Sequence, residues 1–192
     1  MLPVYTLFWL LGSGCATIPS WMKTKMNAVT GFDRIINGFK APSPIPWQAH
    51  MREGSPTSGF SFFCGGTILD ATTVLTAAHC FWNNGNTITD FSKYFIAAGA
   101  THVQDSTAQT AFVKSITLHP NYNQNTGGSN DVAIVKLKTA LTLNAKVKPA
   151  CLPAATLSPS GVSVASGWGL VGQKPNKETL NLMVGTFGLH CY

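Results

Sequence analysis

The chain has 192 residues, of which 45% are hydrophobic and 10% are charged, and its formal net charge at pH 7 is +6. This length suffices for one hydrophobic core, because barrels and sandwiches of about 200–250 residues commonly form a single domain. Lys and Arg never occur next to one another, whereas a nucleic-acid-binding surface would carry a basic stripe interleaved with aromatic residues. We therefore expect solvated, scattered lysines and no nucleic-acid partner.

The N-terminal segment is apolar. Residues 2–11 are nearly all hydrophobic and small residues follow, which is typical of the hydrophobic region and cleavage site of a secretory signal. The run is too short to span a bilayer, which takes about 20 residues. We interpret residues 1–14 as a signal peptide and expect a secreted, extracellular protein without a membrane-spanning segment; a buried N-terminal strand is the alternative. Residues 15–34 are polar and are interpreted as a flexible leader.

From residue 35 onward, short runs of β-branched and aromatic residues alternate with turn signals. Gly (18) and Pro (11) are spread along the chain, which suits many short strands joined by tight turns. Strands are predicted at 47–51, 60–69, 72–80, 94–100, 110–118, 131–138, 163–171 and 179–187. This pattern predicts an all-β antiparallel barrel or sandwich.

Five cysteines are present, and none forms a C-x-x-C pair, so a zinc site is not expected. Disulfides are expected in a secreted chain, and the odd number leaves one cysteine unpaired.

His79 lies among small residues in the sequence TAAHC, and its imidazole is a candidate functional group. By itself it could be a catalytic base, a metal ligand or a core residue. Other short patterns occur around it in a fixed order: RIING (34–38), PWQ (46–48), CGGT (64–67), NDVAI (130–134) and GWG (167–169).

Together these patterns resemble the trypsin/chymotrypsin family of serine proteases, from about residue 15 to the end. The resemblance implies a chymotrypsin-like double antiparallel β-barrel. Residues 35–145 would form a complete first barrel, and residues 146–192 would form a linker and a truncated second barrel. It also implies that His79 is the general base and Asp131 the carboxylate that orients it. A serine hydroxyl is a poor nucleophile until a base takes its proton, and imidazole titrates near neutrality.

The resemblance extends to activation and to disulfide pairing. The Arg34–Ile35 bond resembles the activation site of the family's zymogens, so a trypsin-like protease would cut after Arg34 and free the Ile35 amine, and residues 15–34 would be an activation propeptide. Cys64 and Cys80 resemble the pair that closes the histidine loop. Cys15 and Cys151 resemble the pair that retains the propeptide, and Cys191 would be unpaired. His50, His102, His119 and His190 match no catalytic motif and are expected to be surface or packing residues.

The nucleophile of the family is not recognisable in this sequence. The family's serine stands in a Gly-Asp-Ser-Gly-Gly context, and none of Ser158, Ser160, Ser163 and Ser166 has that context. We therefore expect the chain as given to be inactive by itself. We also expect it to self-associate, because an unclosed second barrel exposes strand edges.

The functional expectation is a secreted serine endopeptidase made as a zymogen, with protein or peptide substrates, possible protease inhibitors as partners, and no cofactor or metal implied. The alternatives are a non-catalytic protease homologue that acts as a binding module and a non-functional truncated product. The residues that would set substrate preference are not recognisable.

Overall fold

The computed structural model describes residues 6–7, 17–27, 38–83, 86–123, 128–152, 161–170 and 178–189. The elements are mostly strands. They are β1 (Thr6–Leu7), α1 (Ser20–Asn27), β2 (Phe39–Lys40), β3 (Gln48–Ser55), β4 (Gly59–Asp70), β5 (Thr73–Thr76), a 3-10 helix (Ala78–Phe81), β6 (Trp82–Asn83), β7 (Asn86–Thr87), β8 (Tyr94–Ala98), β9 (Gln109–Leu118), β10 (Ala133–Leu137), β11 (Gly161–Leu170) and β12 (Glu178–Leu189).

Six antiparallel strands close into a barrel in the order β10-β5-β4-β3-β8-β9, with β9 pairing back onto β10. The strands follow the two-residue period of a half-buried sheet. In β9, for example, Ala111 and Val113 are buried, whereas Phe112 and Lys114 point outward and are exposed. Barrel closure removes the sheet edges. The predicted all-β fold and its closed first barrel are confirmed.

Aliphatic and aromatic side chains fill this barrel. Phe81, Ile96 and Val135 are fully buried at its centre. Phe81 also forms edge-on contacts with Phe63 and Tyr94, with ring centroids 5.6 and 5.7 Å apart. Edge-to-face aromatic pairs at this spacing contribute about 0.5–1.5 kcal/mol each beyond their buried area. Because Phe81 ends the 3-10 helix that contains His79, this packing anchors the candidate catalytic histidine to the core.

The second glycine of the CGGT pattern, Gly66, is required by packing. A Cβ at this position would lie 2.8 Å from both Met51 Cε and Val74 Cγ1. We therefore expect Gly66→Ala to lower the free energy of unfolding by about 1–3 kcal/mol through overpacking. Denaturant unfolding would measure the change, with Thr110→Ala on the exposed face of β9 as the matched control. An unchanged unfolding midpoint for Gly66→Ala would contradict this account of the motif.

A second sheet lies beside the barrel, with strand order β1-β11-β12-β2. It contains the GWG pattern in β11 and confirms the two strands predicted after residue 160. Its core joins Trp47, Trp168, Leu182 and Val184 into one buried cluster. Among the described residues this sheet does not close into a barrel.

Polar contacts hold the second sheet against the barrel. Ser166 Oγ of β11 donates to Gln48 Oε1 of β3 at 2.7 Å, and both side chains are buried. Trp168 Nε1 and the backbone N–H of Leu182 both donate to the carbonyl of Thr101, at 3.3 and 2.6 Å. Strands β3, β11 and β12 are thereby fixed relative to one another.

The interpretation of residues 15–34 as a flexible leader was wrong for residues 20–27, which form α1. Met22 is buried in the core of the second sheet. Trp21 packs edge-on against Phe39, and its Nε1 donates to Ser43 Oγ at 2.9 Å. Two adjacent apolar side chains therefore hold this otherwise polar segment onto the domain.

Two N-terminal residues also belong to a sheet. Thr6 and Leu7, inside the predicted signal peptide, pair with Ser166 and Ala165 of β11. The signal peptide, the propeptide and the domain boundaries remain predictions. No helix among the described residues is long and apolar enough to cross a membrane.

Candidate active site

His79 lies where β5 leaves the barrel. Strand β5 ends at Thr76, whose Oγ1 donates to the carbonyl of Gly65 at 2.7 Å. Ala77 and Ala78 are buried, and a 3-10 helix starts at Ala78. Small residues are needed here because the chain turns directly against the core. The turn leaves the His79 side chain 27% exposed, so its imidazole is accessible from solvent.

His79 and Asp131 are in contact through two hydrogen bonds. The His79 backbone N–H donates to Asp131 Oδ1 at 2.8 Å, and His79 Nδ1 lies 2.6 Å from Asp131 Oδ2. One carboxylate thus fixes both the main chain and the ring of the histidine. Because Nδ1 is engaged, Nε2 is the ring nitrogen left to exchange a proton with another group. A carboxylate in this position also stabilises the imidazolium when it forms.

The loop before β10 places the carboxylate. Asn130 adopts φ 60°, in the left-handed region that few non-glycine residues occupy. Its Nδ2 donates to the carbonyl of Asn121 at 3.2 Å, and its own carbonyl accepts from the Val132 N–H at 2.7 Å. This turn presents Asp131 to His79 immediately before β10 begins at Ala133.

An aromatic pair lines this loop. Tyr122 is buried with Ala78 and Ala133, and its ring packs edge-on against Trp82 at 5.4 Å. Burial raises the pKa of the Tyr122 phenol, and the charge of Asp131 raises it further. The sequence analysis did not identify Tyr122 or Trp82. The available signal was a large aromatic residue beside each of two polar runs: Trp82 precedes NNGN, and Tyr122 lies within NYNQN.

The predicted disulfide between Cys64 and Cys80 is confirmed, with a sequence separation of 16 residues. It joins β4 to the 3-10 helix and so closes the loop that carries His79. Cys64 lies in the barrel core, against which Cys80 also packs.

Replacing both cysteines with Ser should lower the free energy of unfolding by about 3 kcal/mol, because the open loop gains chain entropy when unfolded. For a domain of this size the melting temperature should fall by about 6–12 °C. Differential scanning calorimetry would measure the loss, with Ser115→Ala on the exposed side of β9 as the control. An unchanged melting temperature would show that the bridge does not constrain the unfolded chain.

The other predicted site residues have different outcomes. Cys151 is disulfide-bonded, whereas its predicted partner Cys15 lies outside the described residues, as do Arg34, Ile35 and Cys191. The pairing of Cys15 with Cys151, the activation cleavage and the unpaired thiol therefore stay predictions.

The remaining described histidines lie outside this arrangement. His102 Nδ1 and His119 Nδ1 accept hydrogen bonds from the backbone N–H of Gln104 and Asn121 in exposed loops. His50 is fully buried. Arg52 Nε donates to His50 Nε2 at 2.7 Å, and Arg52 Nη2 donates to the backbone carbonyl of Val103. Burial, with a smaller contribution from the Arg52 charge, lowers the pKa of His50 to about 3.

Comparison with known proteins agrees with this architecture. The family model described as Trypsin matches residues 35–187. The chain is 36% identical over 160 residues to transmembrane protease serine 9 of Rattus norvegicus, covering 81% of this chain and 13% of that protein. It is 33% identical over 138 residues to trypsin I-P1 of Gallus gallus, covering 71% of this chain and 50% of that protein.

A third relative is named as an activating factor. The chain is 31% identical over 154 residues to phenoloxidase-activating factor 3 of Holotrichia diomphalia, covering 72% of this chain and 44% of that protein. The chain thus spans half or less of the length of these three curated relatives. The family match covers most of the chain, including the barrel and the strands that place His79 and Asp131, and the chain therefore belongs to the trypsin family of serine proteases.

Proposed function

We propose that these residues belong to a secreted serine endopeptidase in which His79 is the general base and Asp131 orients it. The observation that carries this proposal is the double contact of Asp131 with the His79 backbone N–H and Nδ1, at 2.8 and 2.6 Å. A histidine that served only packing would not need a partly exposed ring held in one orientation by a carboxylate.

The chemistry is acyl transfer. His79 Nε2 takes the proton of a serine hydroxyl as that oxygen attacks the peptide carbonyl, and the imidazolium returns the proton to the departing amine. Asp131 keeps Nδ1 protonated, so that Nε2 has its lone pair available, and stabilises the charged ring. No serine of this sequence stands in the family's nucleophile context. The serine that His79 would activate therefore belongs, in this proposal, to residues that the sequence does not contain. The 192-residue chain should be inactive by itself.

Activation by cleavage after Arg34 is part of the proposal. It is supported by the Arg-Ile sequence at the start of the family match, which begins at residue 35. An activating trypsin-like protease would then be a partner, and residues 15–34 would be the propeptide. The signal peptide over residues 1–14, the first barrel over 35–145 and the second-barrel portion over 146–192 complete the proposed organisation.

One observation favours a second candidate, a protease homologue that binds without catalysis. It is the absence of a Gly-Asp-Ser-Gly-Gly sequence from these 192 residues. A binding module has no chemical need for the His79–Asp131 pair, which is why the peptidase proposal is preferred.

A cleavage assay separates the two candidates. The secreted product of the complete reading frame, treated with trypsin to cut after Arg34 and then freed of trypsin, should hydrolyse a mixture of fluorogenic peptides. His79→Ala should reduce the rate by several orders of magnitude, whereas His102→Ala, whose ring accepts from the Gln104 N–H in a different loop, should not. Absence of hydrolysis by the folded and cleaved protein would favour the binding module.

A further inference from the structure

A short amphipathic segment lies on the second sheet, upstream of the proposed activation site. Met22 of α1 belongs to the buried core of that sheet, and Ile18 and Trp21 are half-buried against the same core. The three residues follow the i, i+3, i+4 spacing by which the apolar stripe of a helix faces a groove. Ser20 and Lys23 are exposed. The segment therefore has the form of a helix bound in a groove of its own protein.

The groove contacts two anchors of α1. Met22 is 3% exposed and shares its buried cluster with Trp47. Trp21 lies at the rim, where its ring packs edge-on against Phe39 with 6.0 Å between the ring centroids, and its Nε1 donates to Ser43 Oγ at 2.9 Å. A buried apolar side chain and an aromatic ring with a directed hydrogen bond thus fix the helix in one position.

Helix α1 depends on this groove for its stability. It has eight residues, and isolated helices shorter than about 12–15 residues are marginal in water. Its first turn is closed by the N–H groups of Met22 and Lys23, which donate to the Pro19 carbonyl at 2.9 and 3.1 Å. Because an undocked helix would open, slow exchange of these N–H groups with solvent is a signature of docking.

The contacts of α1 join parts of the chain on the two sides of the proposed cleavage site. Trp21 and Met22 precede Arg34, whereas Phe39 and Trp47 follow it. Hydrolysis of the bond after Arg34 adds one water molecule and yields a carboxylate and an amine. It breaks none of the contacts that hold the helix in the groove.

We propose that the groove is a helix-binding site that persists after activation, so that α1 stays on the second sheet once the chain is cut after Arg34, without needing a disulfide. The proposal rests on the cleavage that is part of the proposed function, but not on peptidase activity. The cut protein is then a two-chain molecule whose small chain is held by Trp21 and Met22. Because release of α1 would expose the apolar cluster around Trp47, retention also keeps this part of the second sheet covered.

Hydrogen exchange of a chain cut once tests the proposal. The sequence has two arginines, Arg34 and Arg52, and Arg52 is buried in β3. An arginine-specific protease should therefore cut the folded 192-residue chain after Arg34 alone, and the intact masses of the fragments in denaturant confirm the cut. Cys15→Ser and Cys151→Ser remove the disulfide predicted to join the fragments. We expect the α1 N–H groups to exchange as slowly in the cut chain as in the uncut chain.

Matched variants test the two anchors. Met22→Ala should lower the protection of the α1 N–H groups from exchange about 30-fold or more, the range expected for truncating a buried methionine. Trp21→Ala should act in the same direction, because it removes the ring contact and the hydrogen bond to Ser43. Lys23→Ala changes an exposed position of the same helix and should leave the protection unchanged.

Three results would overturn the proposal. The α1 N–H groups could exchange at the rate of an unfolded peptide once the chain is cut, or Met22→Ala and Lys23→Ala could show equal protection. The folded chain could also resist cleavage after Arg34, in which case no two-chain form arises. If the two-serine chain does not fold, the same comparison in the natural sequence decides the outcome, because a disulfide tethers a fragment but does not by itself protect an eight-residue helix. Failure of the proposed function is a separate result, the absence of peptide hydrolysis by the complete product, and leaves these exchange rates unaffected.

Discussion

If the proposed function holds, Asp131→Asn should reduce the turnover number of the product of the complete reading frame, cleaved after Arg34, about ten-thousand-fold, the size associated with the equivalent change in this family's best-characterised triad. The asparagine can preserve the shape of the site, but it can present its NH₂ group to His79 Nδ1. The ring would then hold its proton on Nε2, the nitrogen that must accept the proton of the serine. The 2.6 Å contact between His79 Nδ1 and Asp131 Oδ2 is therefore the contact whose loss should cost most.

Steady-state kinetics on a peptide substrate would measure this effect. The turnover number should fall and KM should change little, because Asp131 acts on the base and not on the bound peptide. Asp105→Asn is the matched control, since Asp105 is a carboxylate that bonds to Thr107 in an exposed loop. Equal turnover by Asp131→Asn and Asp105→Asn would remove Asp131 from the mechanism.

The second large effect concerns acid stability and the buried His50. Its pKa in the folded protein is lowered to about 3, first by burial and then by the Arg52 charge, whereas an unfolded histidine titrates near 6.5. Between these values the unfolded chain binds a proton that the folded chain does not. The free energy of unfolding should therefore fall by about 1.4 kcal/mol for each pH unit below 6.5, until the pH approaches the folded pKa.

Comparison with His50→Gln isolates this contribution. Glutamine does not titrate, and its amide oxygen can accept the hydrogen bond of Arg52 Nε. The variant should lose less stability than the parent as the pH falls from 6.5 towards 4. The lowered pKa values of Asp70 and Asp105 also reduce stability in acid, but they act equally in both chains.

Urea unfolding at each half pH unit would give the two curves, with Thr110→Ala, a substitution without a titrating group on the exposed side of β9, as the control. The Thr110→Ala curve should run parallel to that of the parent. Parallel curves for His50→Gln and the parent would show that His50 is not held neutral by burial in the folded state.

The strands could be predicted from the sequence because their signal is local. The β-branched and aromatic run at 110–118, for example, became β9 (Gln109–Leu118) almost unchanged. The interaction of His79 with Asp131 could not be obtained in that way, since 52 positions separate the two residues and they meet only through barrel closure. Resemblance to a known family supplied that pairing, and the geometry of the barrel explains it.

Structural features that depend on tertiary contacts could not be predicted from the sequence. Helix α1 has a mostly polar sequence and depends on the docking of Trp21 and Met22, which no local pattern reveals. In the sequence, His50 reads as a polar residue of the strand predicted at 47–51 and Arg52 as the start of the turn that follows, whereas both belong to β3. The burial of this pair arises because the second sheet packs there, with the Trp168 ring 4.6 Å from that of His50.

Covalent labelling by a fluorophosphonate probe tests the central claim most directly, because the probe reacts with a serine activated by a general base. Intact-mass spectrometry should detect one added label on the activated product of the complete reading frame and none on its His79→Ala variant. The 192-residue chain should remain unlabelled. No label on the folded product cleaved after Arg34, or equal labelling of the His79→Ala variant, would contradict the assignment of His79 and Asp131 to a serine protease triad.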